Sequence, residues 1–289
     1  MAHVLPTPEA AAELVGHGAR WRRAVDRRRA LALVLPAQAL MPGGSRLFEA
    51  LADWPDADIE RLIAVLQWVG EHRASGLYLR QLPVPGLDSK WIEQRRTVVA
   101  ELAAALPWNA TAAARGLHAL LGLARAPTRL RLRVLCATLR RQLGGLSDIE
   151  APRDELASLR WQPQQVLVVE NLESGLALPD LPGTVAFIEL GHAVSLLADI
   201  PWLRQAHVRY WGDIDSHGLA ILNQARLALP HLRSMLMDRE TLLAHQALWV
   251  QEPQPWSGAA PDHLTAEERA LFDDLAADTL GFHVRLEQE

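Results

Sequence analysis

The sequence predicts an α/β protein in which a parallel sheet flanked by helices follows a mainly helical, basic module. Three observations carry this. After Pro163, strands of four to six apolar residues alternate with helix-like stretches, the pattern of βαβ units. Between Asp58 and Pro107, apolar residues recur instead at helical spacing. The charge is also split. Residues 1–145 carry 20 Lys and Arg against 12 Asp and Glu, net +8, and residues 146–289 carry 9 against 22, net −13, within an overall charge of −5. A chain of 289 residues, 49% apolar and 22% charged, has room for two domains with real cores and fits neither disorder nor a coiled coil.

In chain order, residues 1–57 form an N-terminal segment whose structure the pattern leaves open. Within it, Trp21 to Leu35 reads as a basic helix ended by Pro36, and Met41-Pro42-Gly43-Gly44 reads as a turn. Residues 58–150 form the basic module with a helical connector. Ile59, Leu62, Ile63, Leu66 and Val69 mark a helix capped by Asp58 and broken at Ser75-Gly76. Leu77 to Leu82 is a short strand, Pro83-Val84-Pro85-Gly86 a turn, and Asp88 caps a helix that Pro107 stops. Helix, strand, turn and helix, with Arg80, Lys90, Arg95 and Arg96 clustered, resemble a winged-helix DNA-binding module. Arg129, Arg131 and Arg133 alternate with Leu130, Leu132 and Val134, either a solvated face or a second strip for phosphates. Gly144-Gly145 and Pro152 mark the boundary to a sheet domain over residues 160–289. Its strands are Val166–Val169, Thr184–Ile188, Val208–Trp211 and Leu232–Met237; helices run over Leu172–Leu178, Gly191–Asp199, His217–Leu229 and from Asp238 to Trp249. Thr265 and Glu268 make a capping box for a last helix.

The single cysteine, Cys136, excludes a disulfide framework and a cysteine-rich zinc site. No uncharged apolar run nears the ~20 residues that span a bilayer, and no basic-then-apolar leader is present, so a cytoplasmic protein without membrane attachment is expected.

In an open parallel sheet, ligands bind beyond the carboxyl ends of the strands. Three of the four expected strands end there in acids: Glu170, Asp213 with Asp215, and Asp238. Carboxylates gathered at one point repel unless a cation sits among them. Hard oxygen ligands favour Mg²⁺, which polarises a phosphate. The plainer reading makes Asp213, Asp215 and Asp238 helix caps and Glu170 a surface acid. His217 fits a helix start better than a ligand. Of the two tyrosines, Tyr210 reads as core and Tyr78 as packing or as a nucleophile toward phosphate.

Glu170-Asn171 followed by Leu176-Ala177-Leu178-Pro179, then Tyr210-Trp211-Gly212-Asp213-Ile214-Asp215-Ser216-His217-Gly218, then Leu236-Met237-Asp238-Arg239-Glu240-Thr241-Leu242, resemble the Toprim domain of the JetD (MksG, EptD) family, the nuclease subunits of Wadjet anti-plasmid systems. Tyr78-Leu79-Arg80-Gln81-Leu82-Pro83-Val84-Pro85-Gly86-Leu87-Asp88-Ser89-Lys90 resembles the family's second signature, and the likeness runs from about residue 62 to residue 289. The resemblance implies a winged helix joined to a Toprim catalytic domain, as in the topoisomerase VI A subunit. It implies Mg²⁺-dependent cleavage (Mn²⁺ substituting) of double-stranded plasmid DNA presented by an SMC–kleisin complex. It assigns the catalytic and metal roles to Glu170, Asp213 and Asp215. A double-strand cut implies two active sites and hence a homodimer.

Three departures qualify the resemblance. Tyr78 lacks the neighbouring aromatic of the topoisomerase relatives, which favours water over tyrosine as attacker. Glu189-Leu190-Gly191-His192 replaces a Gly-x-Gly turn. The chain closes at Leu286-Glu287-Gln288-Glu289, inside a run the family shares, and its N-terminal part is expected to lack a segment used to meet partners. Among other functions, a phospho-aspartate phosphatase or receiver needs a lysine downstream of its aspartate, and the sole lysine, Lys90, lies upstream. A sugar-nucleotide transferase has no recognisable pocket here. A DNA-binding scaffold that no longer cuts, and a tyrosine transesterase, stand as the alternatives.

Overall fold

The computed structural model describes residues 7–36, 40, 45–109 and 116–288, so the turn expected at 41–44 lies outside the described residues. The chain divides into two compact units, 1–126 and 127–289. Expected boundaries near 58 and 150–160 are thus moved. The N-terminal helices join the basic module, and the Arg129–Arg133 strip leaves it for the sheet.

The described part of the first unit contains helices and short 3₁₀ turns: α1 (Pro8–Leu14), α2 (Gly18–Leu31), α3 (Ser45–Asp53), α4 (Asp56–Glu71), α5 (Ser89–Gln94), α6 (Arg96–Ala104) and α7 (Leu117–Leu120). Leu62, Val65, Leu66 and Val69 of α4 pack with Trp91, Ile92, Val99 and Leu102 of α5 and α6 in one core. Asp88 caps α5 by accepting the Trp91 backbone N–H at 2.7 Å, as its spacing predicts. Two expectations fail here. Asp58 is not the cap of α4 but lies within its first turn, buried. The strand expected over Leu77–Leu82 is a 3₁₀ turn, Leu79–Gln81, closed by the Gln81 side chain accepting the Tyr78 N–H at 2.8 Å. No strand, and so no wing, lies among the described residues of this unit.

The second unit is a mixed α/β layer structure. Its elements are β1 (Arg129–Val134), α8 (Ala137–Arg141), β2 (Asp148–Pro152), α9 (Arg153–Ser158), β3 (Gln165–Val169), α10 (Leu172–Ala177), β4 (Thr184–Ile188), a 3₁₀ stretch (Gly191–Asp199), β5 (His207–Trp211), α11 (Ser216–Ala228), β6 (Arg233–Ser234), α12 (Arg239–Ala244), β7 (Val250–Gln251), α13 (Ala266–Ala276) and β8 (Val284–Arg285). Six strands form one sheet in the order β2-β1-β4-β3-β5-β6. The four strands β4, β3, β5 and β6 run parallel, while β1 is antiparallel to β2 and β4. Val166, Val168, Phe187, Val208 and Tyr210 fill the core on one face. Leu167, Val169, Ala186 and Ile188 fill a smaller core on the other. Burial on both faces is why these strands read as unbroken apolar runs. The fourth expected strand shrinks to two residues, and the stretch after β4 winds as 3₁₀ rather than α. Glu189, at the end of β4, has a left-handed φ of 58°, a conformation that favours glycine. A glycine would adopt this conformation without the strain that the Glu189 side chain meets.

Candidate functional site

The parallel pairing of β3 with β5 sets Val169 beside Trp211, so both strands end at the same level. Glu170 follows directly, and its backbone N–H donates to the Trp211 carbonyl at 2.9 Å. The Tyr210 hydroxyl, at the end of a buried side chain, donates to Glu170 Oε2 at 3.0 Å. A Cβ at Gly212 would strike both Glu170 Oε2 and the Tyr210 ring, so glycine is required for the acid to sit where it does. Asp215 caps α11, accepting the Gly218 N–H at 2.6 Å. It is only 5% exposed, far more enclosed than a cap on a helix of this kind needs to be. Asp213 accepts the Gln288 N–H at 2.9 Å.

Burial pushes the Glu170 carboxyl above its usual range, and the negative charges of Asp213 and Asp215 push it further, against the Tyr210 hydrogen bond. Burial likewise raises Asp215, opposed by the Gly218 N–H and reinforced by Glu252 and Asp213. The Tyr210 hydroxyl is pushed well above its ordinary value by burial and then by Glu170. Glu170 and Asp215 thus each lie close enough to Asp213 for its charge to raise them. Asp238, by contrast, is an exposed cap of α12, accepting the Thr241 N–H at 2.7 Å.

Arg285 of β8 stands against the pair of aspartates. Its Nη2 donates to Asp213 Oδ2 at 2.7 Å, and its Nε lies 3.1 Å from Asp215 Oδ2. Burial works against its charge, and the aspartates more than offset that, holding the guanidinium above its usual range. Three carboxylates suit Mg²⁺ or Mn²⁺ in donor chemistry. As placed they do not fit one. Among the described residues no three His, Cys, Asp or Glu side chains are disposed to hold a metal ion together, and the aspartates are paired with Arg285.

A family model described as "Wadjet protein JetD, C-terminal" matches residues 122–289, more than half of the chain. The chain belongs to the Wadjet JetD family. A second model, described as "Uncharacterized protein conserved in bacteria N-term (DUF3322)", matches residues 2–104. No match was found among curated proteins. The JetD match takes in all three acids and Arg285, and it bears out the resemblance that the Glu170 and Tyr210–Gly218 runs carry.

The basic residues of this JetD-family chain fare unevenly. Arg80, Lys90 and Arg96 are exposed. Arg80 and Arg96 line a hollow of about 310 Å³ with Tyr78, Ser89, Glu93 and His118. Arg95 is a correction. Its guanidinium turns inward to Asp58, over the Trp54 and Trp91 rings, and cannot also meet a phosphate. Arg131 is bound bidentately by Asp148, Arg129 pairs with Glu150, and Arg133 donates to the carbonyls of Gly175 and Leu176, so that strip is already engaged. Arg209 and Arg233 were missed. They face each other across β5 and β6, both exposed, and neither has an ion-pair partner among the described residues. Like charges directly opposite are unfavourable unless an anion joins them. His217 Nε2 donates to the Gln254 carbonyl at 2.9 Å, as a residue at a helix start.

Tyr210, Arg285 and Gln288 are the site residues that sequence reasoning did not single out. Tyr210 looked like core, which its ring is. Arg285 is one of only nine Lys and Arg residues in the acidic half, which was the available signal.

Proposed function

We propose that this JetD-family chain is an endodeoxyribonuclease of a Wadjet-type anti-plasmid system, its sheet unit a Toprim domain, cutting double-stranded plasmid DNA presented by an SMC–kleisin complex. The observation that carries the reading is the meeting of Glu170 with Asp213 and Asp215 at adjacent parallel strand ends, where a chain seeking only stability would not gather three acids. Water is the attacker in this reading. Tyr210 is buried and its hydroxyl is committed to Glu170, while Tyr78 sits on a 3₁₀ turn of the other unit without an aromatic neighbour in sequence. Glu170, with its raised affinity for a proton, is placed to take one from water or give one to the leaving sugar oxygen. DNA phosphates meet Arg80, Lys90 and Arg96 on the first unit and Arg209 and Arg233 on the second. Mg²⁺, or Mn²⁺ in its place, is the proposed cofactor. Two copies acting on opposite strands account for a double-strand cut.

The test is cleavage of supercoiled plasmid in Mg²⁺, with and without the partner complex. Glu170→Gln should bind DNA and fail to cut, and Tyr78→Phe should cut normally. Loss of cutting in Tyr78→Phe, or a protein–DNA adduct that survives denaturation, would favour a tyrosine transesterase. Binding without cutting by the wild-type protein in every condition would favour a scaffold.

A further inference from the structure

Side chains of β5 alternate between the two faces of the sheet. Val208 and Tyr210 point into the larger core, so His207 and Arg209 lie on the opposite face. On that face α10 closes over β4, where Gly175 lies against the Ile188 side chain, and Leu167 and Val169 of β3 are buried. The cover stops there, and His207 and Arg209 are exposed. The neighbouring strand β6 sets Ser234 beside Tyr210 and Arg233 beside Arg209. Ser234 shares the core side, its hydroxyl donating to Glu268 Oε1 at 2.6 Å. Arg233, one residue earlier, therefore shares the open face with Arg209, and it too is exposed. Neighbouring strands run about 4.8 Å apart, which puts both guanidiniums within reach of one anion.

The two arginines line a hollow of about 300 Å³ with His207, Val208 and His231. No acid lines it, although residues 146–289 carry 22 Asp and Glu. Other arginines of this unit find a carboxylate: Arg131 pairs with Asp148, Arg140 with Asp180 and Arg226 with Glu268. Among the described residues Arg209 and Arg233 find none. Two like charges held directly opposite each other destabilise the sheet unless an anion answers both. The oxygen count of that anion matters. A carboxylate has two oxygens, which one guanidinium fork takes up, whereas a phosphate group carries enough for two forks.

We propose that Arg209 and Arg233 hold one phosphate group between them, in a binding site on the uncovered face of β5 and β6 that is separate from the acids. The site rests on the DNA-cleaving reading only for the source of its ligand: in that reading the phosphate belongs to the DNA backbone, and otherwise it is a free phosphate.

Two measurements test this. The first is the melting temperature of wild type, Arg209→Gln and Arg233→Gln with inorganic phosphate, at an ionic strength matched with chloride. Phosphate stabilises folded proteins generally by its exclusion from their surface, so the variants set the baseline. Wild type should gain at least about 2 °C more than either variant. The second is the salt dependence of duplex DNA affinity. The double variant Arg209→Gln/Arg233→Gln should flatten the log–log slope by about 1, the loss of one shared phosphate. A flattening of about 1 with equal gains in phosphate would assign the site to the DNA backbone alone. An extra gain for wild type with an unchanged slope would keep the site and make free phosphate its ligand, against the DNA path drawn above. A flattening of about 2 would mean two phosphates bound separately and would overturn the sharing. Equal gains together with an unchanged slope would overturn the site itself, while plasmid cutting decides the nuclease reading independently.

Discussion

The two units each bury acid and arginine side by side, in opposite proportions. In the first, a single carboxylate, Asp58, meets two arginines: Arg61 Nη1 lies 2.9 Å from Oδ1 and Arg95 pairs with Oδ2. The Trp91 indole N–H donates to the same Oδ1 at 2.7 Å, and both guanidiniums lie over the Trp91 ring. Both carboxylate oxygens are engaged and positive charge is in excess, although Arg95 Nε is left without a hydrogen-bond partner. In the second, Arg285 is the one arginine against Asp213 and Asp215, with Glu170 nearby, and burial pushes Glu170 and Asp215 toward protonation. The first arrangement holds helices α4 and α5 together. The second leaves negative charge concentrated and only partly answered, at a cost in stability that a purely structural cluster avoids. Burying ions is thus not one signal: the ratio of acid to base separates scaffold from site.

That contrast can be broken first at Asp58. Asp58→Asn keeps the volume but leaves two partly buried guanidiniums facing a neutral group, and removing one partner of a buried pair costs about 3–5 kcal/mol. Urea unfolding should show a loss of that order, and a loss below about 1 kcal/mol would mean that the cluster is not structural. DNA binding sharpens the contrast within the first unit. Arg80→Ala and Lys90→Ala should each flatten the log–log dependence of DNA affinity on salt by about 1. Arg95→Ala should leave the slope alone and lower the melting temperature, because its charge is spent on Asp58. A flattened slope in Arg95→Ala would return that residue to the interface.

Glu170 provides the smallest effect and the clearest sign. Its carboxyl titrates higher in the folded than in the unfolded chain, so across that interval the native state binds more protons and stability falls as pH rises. Glu170→Gln removes this penalty. Its stability advantage over wild type should therefore be greater at about pH 8 than at about pH 5 in paired unfolding curves. An advantage that does not change with pH would mean that the acid is not held in a charge-poor pocket.

Much of the sheet was legible because its strands are buried on both faces and leave apolar runs; Thr184–Ile188 was read to the residue. Asp88 and the Thr265–Glu268 box were legible because capping is local chemistry. What failed depended on distant partners. Arg129–Arg133 alternates like any strand, and only pairing with β4 places it in the sheet rather than in the basic module. Leu77–Leu82 has an extended look, yet Gln81 folds back on Tyr78. In the site, Glu170, Asp213 and Asp215 announce themselves by their position at strand ends. Arg285 does not, because nothing local ties a residue of β8 to a loop 72 positions earlier.

The most direct test of the whole account is Asp213→Asn, assayed for linearisation of supercoiled plasmid in Mg²⁺ beside its unfolding curve. Asparagine can still accept the Gln288 N–H, and it relieves repulsion from Glu170 and Asp215. The account predicts that cutting is lost while stability changes far less than in Asp58→Asn. Cutting at the wild-type rate, with stability falling as steeply as in Asp58→Asn, would make the acid site a scaffold like its counterpart and contradict the account.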